Sequence, residues 1–320
     1  MSKPLIVIPD DYPPVMGPSD AYQVLQQRAD VQYHDNLPPN HDVLVERIGD
    51  AKYAINIRSS IDFTPEVLAA CKSLDVLSIW GTGTDHVDLE AASRHGINVT
   101  NTPAVSAVSM AEHTLALMLS VARDVPRIDS KTRRGGWPRG FVTQLAGKTL
   151  GVIGLGAIGR QTARIAKGIG MDVIAWTMHP NQDLASELGV NLVELDALYA
   201  RSDVVSLHLR QSPETVNFVD AAAFEKMKPT AYFVNTARGA IADETAMVRA
   251  LESGQIAGAA LDVFCQEPLP EDDPLTRAPN VVLTPHSGGV TKEALEAGLE
   301  LSIENIFAFI DGKPQNVVNP

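Results

Sequence analysis

Thr149-Leu150-Gly151-Val152-Ile153-Gly154-Leu155-Gly156-Ala157-Ile158-Gly159 is an apolar run followed by G-x-G-x-x-G, and residues Ile158 to Gly170 continue with helical periodicity. Strand, glycine turn and helix in that order predict the opening βαβ unit of a dinucleotide-binding sheet. Gly154 permits a tight turn out of the strand, Gly156 lets the backbone approach a pyrophosphate, and Gly159 lets helix and strand pack closely. The helix start at Ala157 and Ile158 offers free N–H groups and a partial positive charge to phosphates. A glycine-rich structural turn is the competing reading, and the strand before and helix after weigh against it.

Working outward, the strand Asp172-Val173-Ile174-Ala175-Trp176 ends in Thr177-Met178-His179. About 20 residues beyond such glycines an Asp or Glu normally accepts from the adenosine ribose hydroxyls. Thr177 lacks the carboxylate that repels a 2′-phosphate, yet no Arg or Lys lies between Met171 and Ala200 to attract one. The expected cofactor is NAD or NADP, with a slight lean to NAD.

Short β-rich runs alternate with helical patterns along all 320 residues, which predicts an α/β fold of two parallel-sheet domains, Rossmann-like and flavodoxin-like, with an interdomain cleft. Expected strands of the first are Leu5 to Ile8, Val31 to His34, Tyr53 to Ile57, Val76 to Trp80 and Asn98 to Thr100. Those of the second are Leu150 to Ile153, Val173 to Trp176, Asn191 to Val193, Val204 to Leu209, Tyr232 to Asn235, Gly258 to Leu261 and Val281 to Leu283. A final helix, Lys292 to Ile310, has no strand of its own and is expected back on the first unit. The domains are therefore read as 1–101 plus 288–320 for substrate and 102–287 for the dinucleotide.

Composition bounds the function. Net charge is −13, and no basic cluster exceeds Lys131-Thr132-Arg133-Arg134, which argues against nucleic acid and for a small-molecule partner. Cys71 and Cys265 have no metal-ligand spacing, and no metal is expected. No apolar run reaches the ~18 residues of a membrane span, and the N-terminal run is too short for a signal peptide, so the expected location is cytoplasmic.

Three polar side chains fall at or just beyond strand ends of the second unit: Arg238, Glu267 and His286. Singly, each is more commonly a surface ion pair, a solvated carboxylate or a turn residue. Together, on one edge of a nucleotide-binding sheet, they form a candidate site. Arg238 offers a planar fork suited to a carboxylate and an adjacent oxygen. His286 belongs to the residue type that titrates near neutrality and moves protons, and Glu267 could fix its tautomer.

These motifs, in their order, resemble those of the D-isomer-specific 2-hydroxyacid dehydrogenases: Met110-Ala111-Glu112-His113, the glycine turn, Asn235-x-x-Arg238-Gly239, Leu261-Asp262-Val263-Phe264 with Glu267-Pro268, and Pro285-His286. The resemblance runs from about Ser59 to Val318 and implies a catalytic triad of Arg238, Glu267 and His286. It also implies that Gly83, with Thr82, holds the substrate carboxylate and that Asp262 receives the nicotinamide carboxamide. Thr236, Ala237 and Gly289 would line the cofactor, and His208 and Arg210 would cover the adenosine. Arg210 stands where proline is usual, and it could stack on adenine, reach a 2′-phosphate or be solvated.

The implied activity is hydride transfer between NAD(P) and a small D-2-hydroxy or 2-oxo acid. A nucleotide-sensing corepressor-like protein and a phosphite dehydrogenase-like enzyme are the alternatives. Arg58-Ser59 resembles the phosphate-contacting pair of phosphoglycerate dehydrogenases, but Ile79-Trp80 and Ala104 depart from that pattern. Trp80 either narrows a pocket or belongs to the core. No regulatory domain is expected beyond Pro320, and a homodimer is expected through Ser106 to Phe141, whose first part is helical and apolar over Leu115, Leu117, Met118, Leu119 and Val121.

Overall fold

The structure, a computed structural model, describes residues 3–57 and 61–319. Contacts divide the chain into two units, the first running up to Ser106 and resuming at Val290, the second spanning Ala107–Gly289. The stretch 102–106, read from sequence as the start of the second domain, stays with the first. Thr102 N–H donates to the Gly81 carbonyl at 2.9 Å, and Gly81 N–H donates to Thr102 Oγ1 at 2.8 Å, which ties this stretch to the first sheet.

In the first unit, β1 (Leu5–Ile8), β2 (Asp30–Tyr33), β3 (Tyr53–Ile57), β4 (Val76–Trp80) and β5 (Asn98–Thr100) form one parallel sheet of order β2-β1-β3-β4-β5. That is the flavodoxin-like order. Apolar side chains alternate between its two faces, as strand periodicity requires. Ile6, Ile8, Ile55 and Ile57 pack with Leu299, Ile303 and Ile306 of the helix Lys292–Ile310, while Ala54, Leu77, Ile79 and Val99 face the opposite layer. The last helix thus returns to the first sheet.

In the second unit, β6 (Thr149–Ile153), β7 (Asp172–Trp176), β8 (Asn191–Leu192), β9 (Val204–Leu207), β10 (Tyr232–Asn235), β11 (Gly258–Leu261) and β12 (Val281–Leu283) form a seven-stranded parallel sheet. Its order, β12-β11-β10-β9-β6-β7-β8, reverses direction between β6 and β9. Ligands of such sheets bind outside the carboxyl ends of the strands at that switch point. The helix Ala107–Ala122 packs on this sheet, with Leu117, Met118 and Val121 buried in its core. Those apolar residues, expected at a dimer interface, belong to their own unit because an amphipathic helix on a sheet buries its apolar stripe against the strands.

At the carboxyl end of β1, Asp10 is fully buried, accepting from Ile57 N–H at 3.1 Å and from Asn56 Nδ2, whose Oδ1 lies 2.8 Å from His86 Nε2. Burial raises its pKa to about 7 against the lowering effect of these bonds. The folded protein keeps this proton well above the pH at which the unfolded chain releases it. Folded protein therefore binds more protons across that window, and stability falls as pH rises toward 7. Urea unfolding from pH 5 to 8 should show this decline, on the order of 2–4 kcal/mol. Asp10→Asn should flatten the curve, and an unchanged slope would contradict the assignment.

Candidate active site

The glycine turn of the second unit has three separate steric reasons for its residues. Gly154 lies at φ +100°, and a Cβ there would come within 2.6 Å of the His208 carbonyl oxygen. At Gly159 a Cβ would sit 2.0 Å from the Gly154 carbonyl oxygen, so the helix Ala157–Gly168 rests directly on the turn. Around Gly156 no atom lies within 4 Å of such a Cβ, so this side of the turn is open. Gly156 also caps its helix without a side chain, whereas Ser19, Asn40, Asp220 and Asp243 cap theirs with side-chain oxygens. Uncapped N–H groups of Ala157 and Ile158 beside an open turn fit the diphosphate of a dinucleotide.

Beyond β7, Thr177 is half-buried and Met178 and His179 are exposed, while the Trp176 ring packs against Phe218 with centroids 5.2 Å apart. β9 ends at Leu207, two residues short of the expected Leu209, because its neighbour β6 turns away at Gly154 once Ile153 has paired with Leu207. His208 Nε2 lies 2.9 Å from Ser206 Oγ, and burial pushes its pKa down to about 4, leaving the ring neutral. Arg210 is exposed at its side chain, and its carbonyl accepts from Thr215 Oγ1 at 2.8 Å.

The turns after β10, β11 and β12 converge. Asn235 shapes the first: its Oδ1 accepts from Ala237 N–H and its Nδ2 donates to the Arg238 carbonyl, both at 2.9 Å. Gly239 then passes so close to the next turn that a Cβ would lie 2.0 Å from the Phe264 carbonyl carbon. Glu267 folds back over that turn, Oε1 accepting from Phe264 N–H at 3.0 Å and Oε2 from His286 Nδ1 at 2.7 Å. Burial raises the Glu267 pKa, but the His286 and Phe264 bonds and the charges of His286 and Arg238 outweigh it and hold the carboxyl below its usual range. Because a carboxylate only accepts, Nδ1 carries the hydrogen, and Nε2 is the nitrogen left to exchange a proton.

His286 sits at φ +51°, a left-handed conformation that costs a non-glycine residue about 1–3 kcal/mol. The bonds around Asp262 offset that cost. His286 N–H donates to the Asp262 carbonyl at 2.7 Å, while Ser287 N–H, Gly288 N–H and Thr284 Oγ1 donate to its carboxylate at 3.0, 2.9 and 2.6 Å. Asp262 is fully buried; burial raises its pKa, and the bonds from His113, Thr284, Ser287 and Gly288 overcome this and lower it. The Asp262 carboxylate is thus engaged by the turn that carries His286.

His113 and Thr114, on the helix Ala107–Ala122, complete this floor. Thr114 Oγ1 donates to the Met110 carbonyl at 2.8 Å and lies 2.9 Å from Thr236 Oγ1, fixing the start of the Arg238 turn. Ala237 and Gly289 are half-buried at the same strand ends. Met110-Ala111-Glu112-His113 marked the family in the sequence, but its contacts were not legible there.

In the first unit, the loop Gly81 to Asp85 follows β4. Asn101 Nδ2 donates to the Thr82 carbonyl at 2.8 Å, leaving the Thr82 side chain exposed and Gly83 half-buried. Arg58 and Ser59 lie outside the described residues. Trp80 is a core residue: Nε1 donates to the Leu295 carbonyl at 3.3 Å, and a Cβ on Gly298 would strike that nitrogen at 2.2 Å.

Residues 115–288 match the NAD-binding domain of the D-isomer specific 2-hydroxyacid dehydrogenases. A D-3-phosphoglycerate dehydrogenase from Synechocystis is 43% identical over 243 residues, which is 75% of this chain and 44% of that protein. A glyoxylate reductase from Korarchaeum cryptofilum is 38% identical over 294 residues, 90% of this chain and 88% of that protein. A solved acyclic imino acid reductase in complex with NADPH and D-Arg superposes with a TM-score of 0.88 at 30% identity, covering 98% of this chain and 99% of that one. The chain spans less than half the length of the first of these relatives and most of the other two. With its motifs, its two sheets and these matches in agreement, the chain belongs to the D-isomer specific 2-hydroxyacid dehydrogenase family.

Proposed function

We propose that the chain is an NAD(P)-dependent dehydrogenase interconverting a small D-2-hydroxy acid and its 2-oxo acid. The observation that carries this reading is the 2.7 Å bond between His286 Nδ1 and Glu267, with Arg238 lowering the Glu267 pKa from beside it. NAD(P), held by Gly154, Gly156, Gly159 and the N–H groups of Ala157 and Ile158, supplies the hydride acceptor or donor when bound. Arg238 binds the substrate carboxylate and the C2 oxygen through its guanidinium fork. Its charge stabilises negative charge developing on that oxygen as a 2-oxo acid is reduced. His286 Nε2 gives the proton to the C2 oxygen in reduction and takes it in oxidation. Glu267 holds the ring in the tautomer that this requires and offsets the imidazolium charge.

On the first unit, the backbone N–H groups of Gly83 and Thr82 are the substrate-carboxylate contacts in this reading. The two curated relatives carry the names of enzymes, which favours catalysis over the corepressor-like alternative. Among the described residues no helix is long and apolar enough to cross a membrane. The free thiols of Cys71 and Cys265 fit a reducing compartment such as the cytoplasm.

A homodimer is also part of the proposal, through a narrower surface than the sequence implied. The helix Val125–Arg133 buries none of its residues, and beyond it Trp137 is 75% exposed and Phe141 is fully exposed. Exposed aromatic side chains clustered on one arm are characteristic of protein–protein contacts.

His286→Asn or Arg238→Gln should each lower turnover at least ~100-fold with the best 2-oxo acid of a small panel, the scale of a lost general acid or charge contact. Near-wild-type rates in both would refute the triad.

Cofactor use should be relaxed. Thr177 does not repel a 2′-phosphate and neutral His208 adds no charge, while exposed Arg210 and His179 are the groups this reading offers to one, so NAD should be favoured by less than about tenfold. A preference above a hundredfold in kcat/KM would contradict this, whereas loss of NADP use alone in Arg210→Ala would identify the phosphate anchor.

Sedimentation at micromolar concentration should give a dimer, and Trp137→Ser with Phe141→Ser should give a monomer. A monomeric wild type would refute this interface.

A further inference from the structure

His113 has no task in the reaction as proposed, yet it is bonded to the floor of the site. Its Nε2 lies 3.2 Å from Asp262 Oδ1 and 3.0 Å from Thr284 Oγ1. Thr284 spends its hydroxyl hydrogen on Asp262 Oδ1 at 2.6 Å, so toward the histidine it presents a lone pair. The carboxylate is likewise an acceptor. Nε2 therefore carries a hydrogen shared between two acceptors that are themselves bonded to each other.

The same ring is in contact with the turn above it. A Cβ on Gly288 would come within 2.8 Å of His113 Cδ2 and 3.0 Å of Asp262 Oδ2, so Gly288 lies flat on the pair. Through Asp262 the histidine reaches three positions of the turn: Thr284, Ser287 and Gly288. His286 lies between them in its left-handed conformation, with Nδ1 on Glu267.

We propose that His113 is a positioning residue for proton transfer at His286, its Nε2 hydrogen locking Asp262 and Thr284 so that the 284–288 turn holds His286 against Glu267. The kinetic consequence rests on the dehydrogenase reading, and the structural consequence does not. A ring that merely fills space beneath the turn would be replaceable by any apolar side chain of similar size. A ring that acts as a donor is replaceable by another donor.

His113→Leu removes the hydrogen and keeps much of the volume, whereas His113→Gln keeps an N–H of similar reach. In His113→Leu, kcat should fall about 10- to 100-fold, the scale of a small misplacement of a reacting group, with KM for the 2-oxo acid and for NADH within about twofold of wild type. Amide hydrogen exchange at Ser287 and Gly288 should quicken at least ~10-fold as their acceptor loosens. His113→Gln should restore most of both. The proposal is overturned if His113→Leu retains kcat and slow exchange, if His113→Gln loses as much as His113→Leu, or if KM for NADH rises while kcat holds. Thr284→Val, which removes the shared acceptor, carries the same expectation for kcat and exchange and decides the matter should His113→Leu not fold. Exchange needs no turnover. An inactive wild type would therefore sink the dehydrogenase reading while the exchange rates still judge His113.

Discussion

The buried carboxylate of Asp262 is the constraint on which the site depends. An ionised group taken out of water costs several kcal/mol unless its lone pairs are filled. Here they are filled by two backbone N–H groups, a hydroxyl and an imidazole, all from the segments that must be held still. Hydrogen bonds to a charged group contribute roughly 1.5–3 kcal/mol each, enough together to offset both the burial and the left-handed backbone at His286. Removing the charge would release the turn, and with it the geometry between His286 and Glu267.

The parallel sheet decides where such a device can stand. Because every strand of the second unit runs the same way, the turns carrying Arg238, Glu267 and His286 all leave the same edge as the glycine turn after β6. The sheet divides the labour by strand order. β6, at the reversal, and β7 beside it present glycines, free N–H groups and Thr177, which suit a dinucleotide. β10, β11 and β12, on the other side, present the ionisable side chains. Gly239 sets the spacing between the first two of these turns, since any side chain there would strike Phe264.

Much of this was legible in the sequence because it depends on local pattern. Apolar runs bounded by glycine and polar turns predicted every strand of both sheets, and an end such as Leu207 differed where a neighbouring strand turned away. The placement of Arg238, Glu267 and His286 just after β10, β11 and β12 was readable because it is a local fact. What depends on non-local contact was not. The apolar residues of the helix Ala107–Ala122 could serve an interface or a core with equal periodicity, and tertiary packing chose the core. The bonds that hold Asp262 were not legible, because its four donors come from two segments distant from it in sequence, the helix Ala107–Ala122 and the turn 284–288. His113 was visible as part of a motif and Thr114, just beyond it, was not, and the partners they meet across the site lie more than a hundred positions along the chain. Trp80 found its place through Gly298, on the last helix.

The proposed chemistry is a hydride transfer in which His286 would handle the proton and Arg238 would orient the acid. Reduction of a 2-oxo acid with NADH deuterated at the nicotinamide C4, on either face in separate runs, tests this most directly. The account predicts a D-2-hydroxy acid carrying one deuterium at C2 from one of the two labelled cofactors. Product of the L configuration, or product with no deuterium at C2 from either, would contradict it.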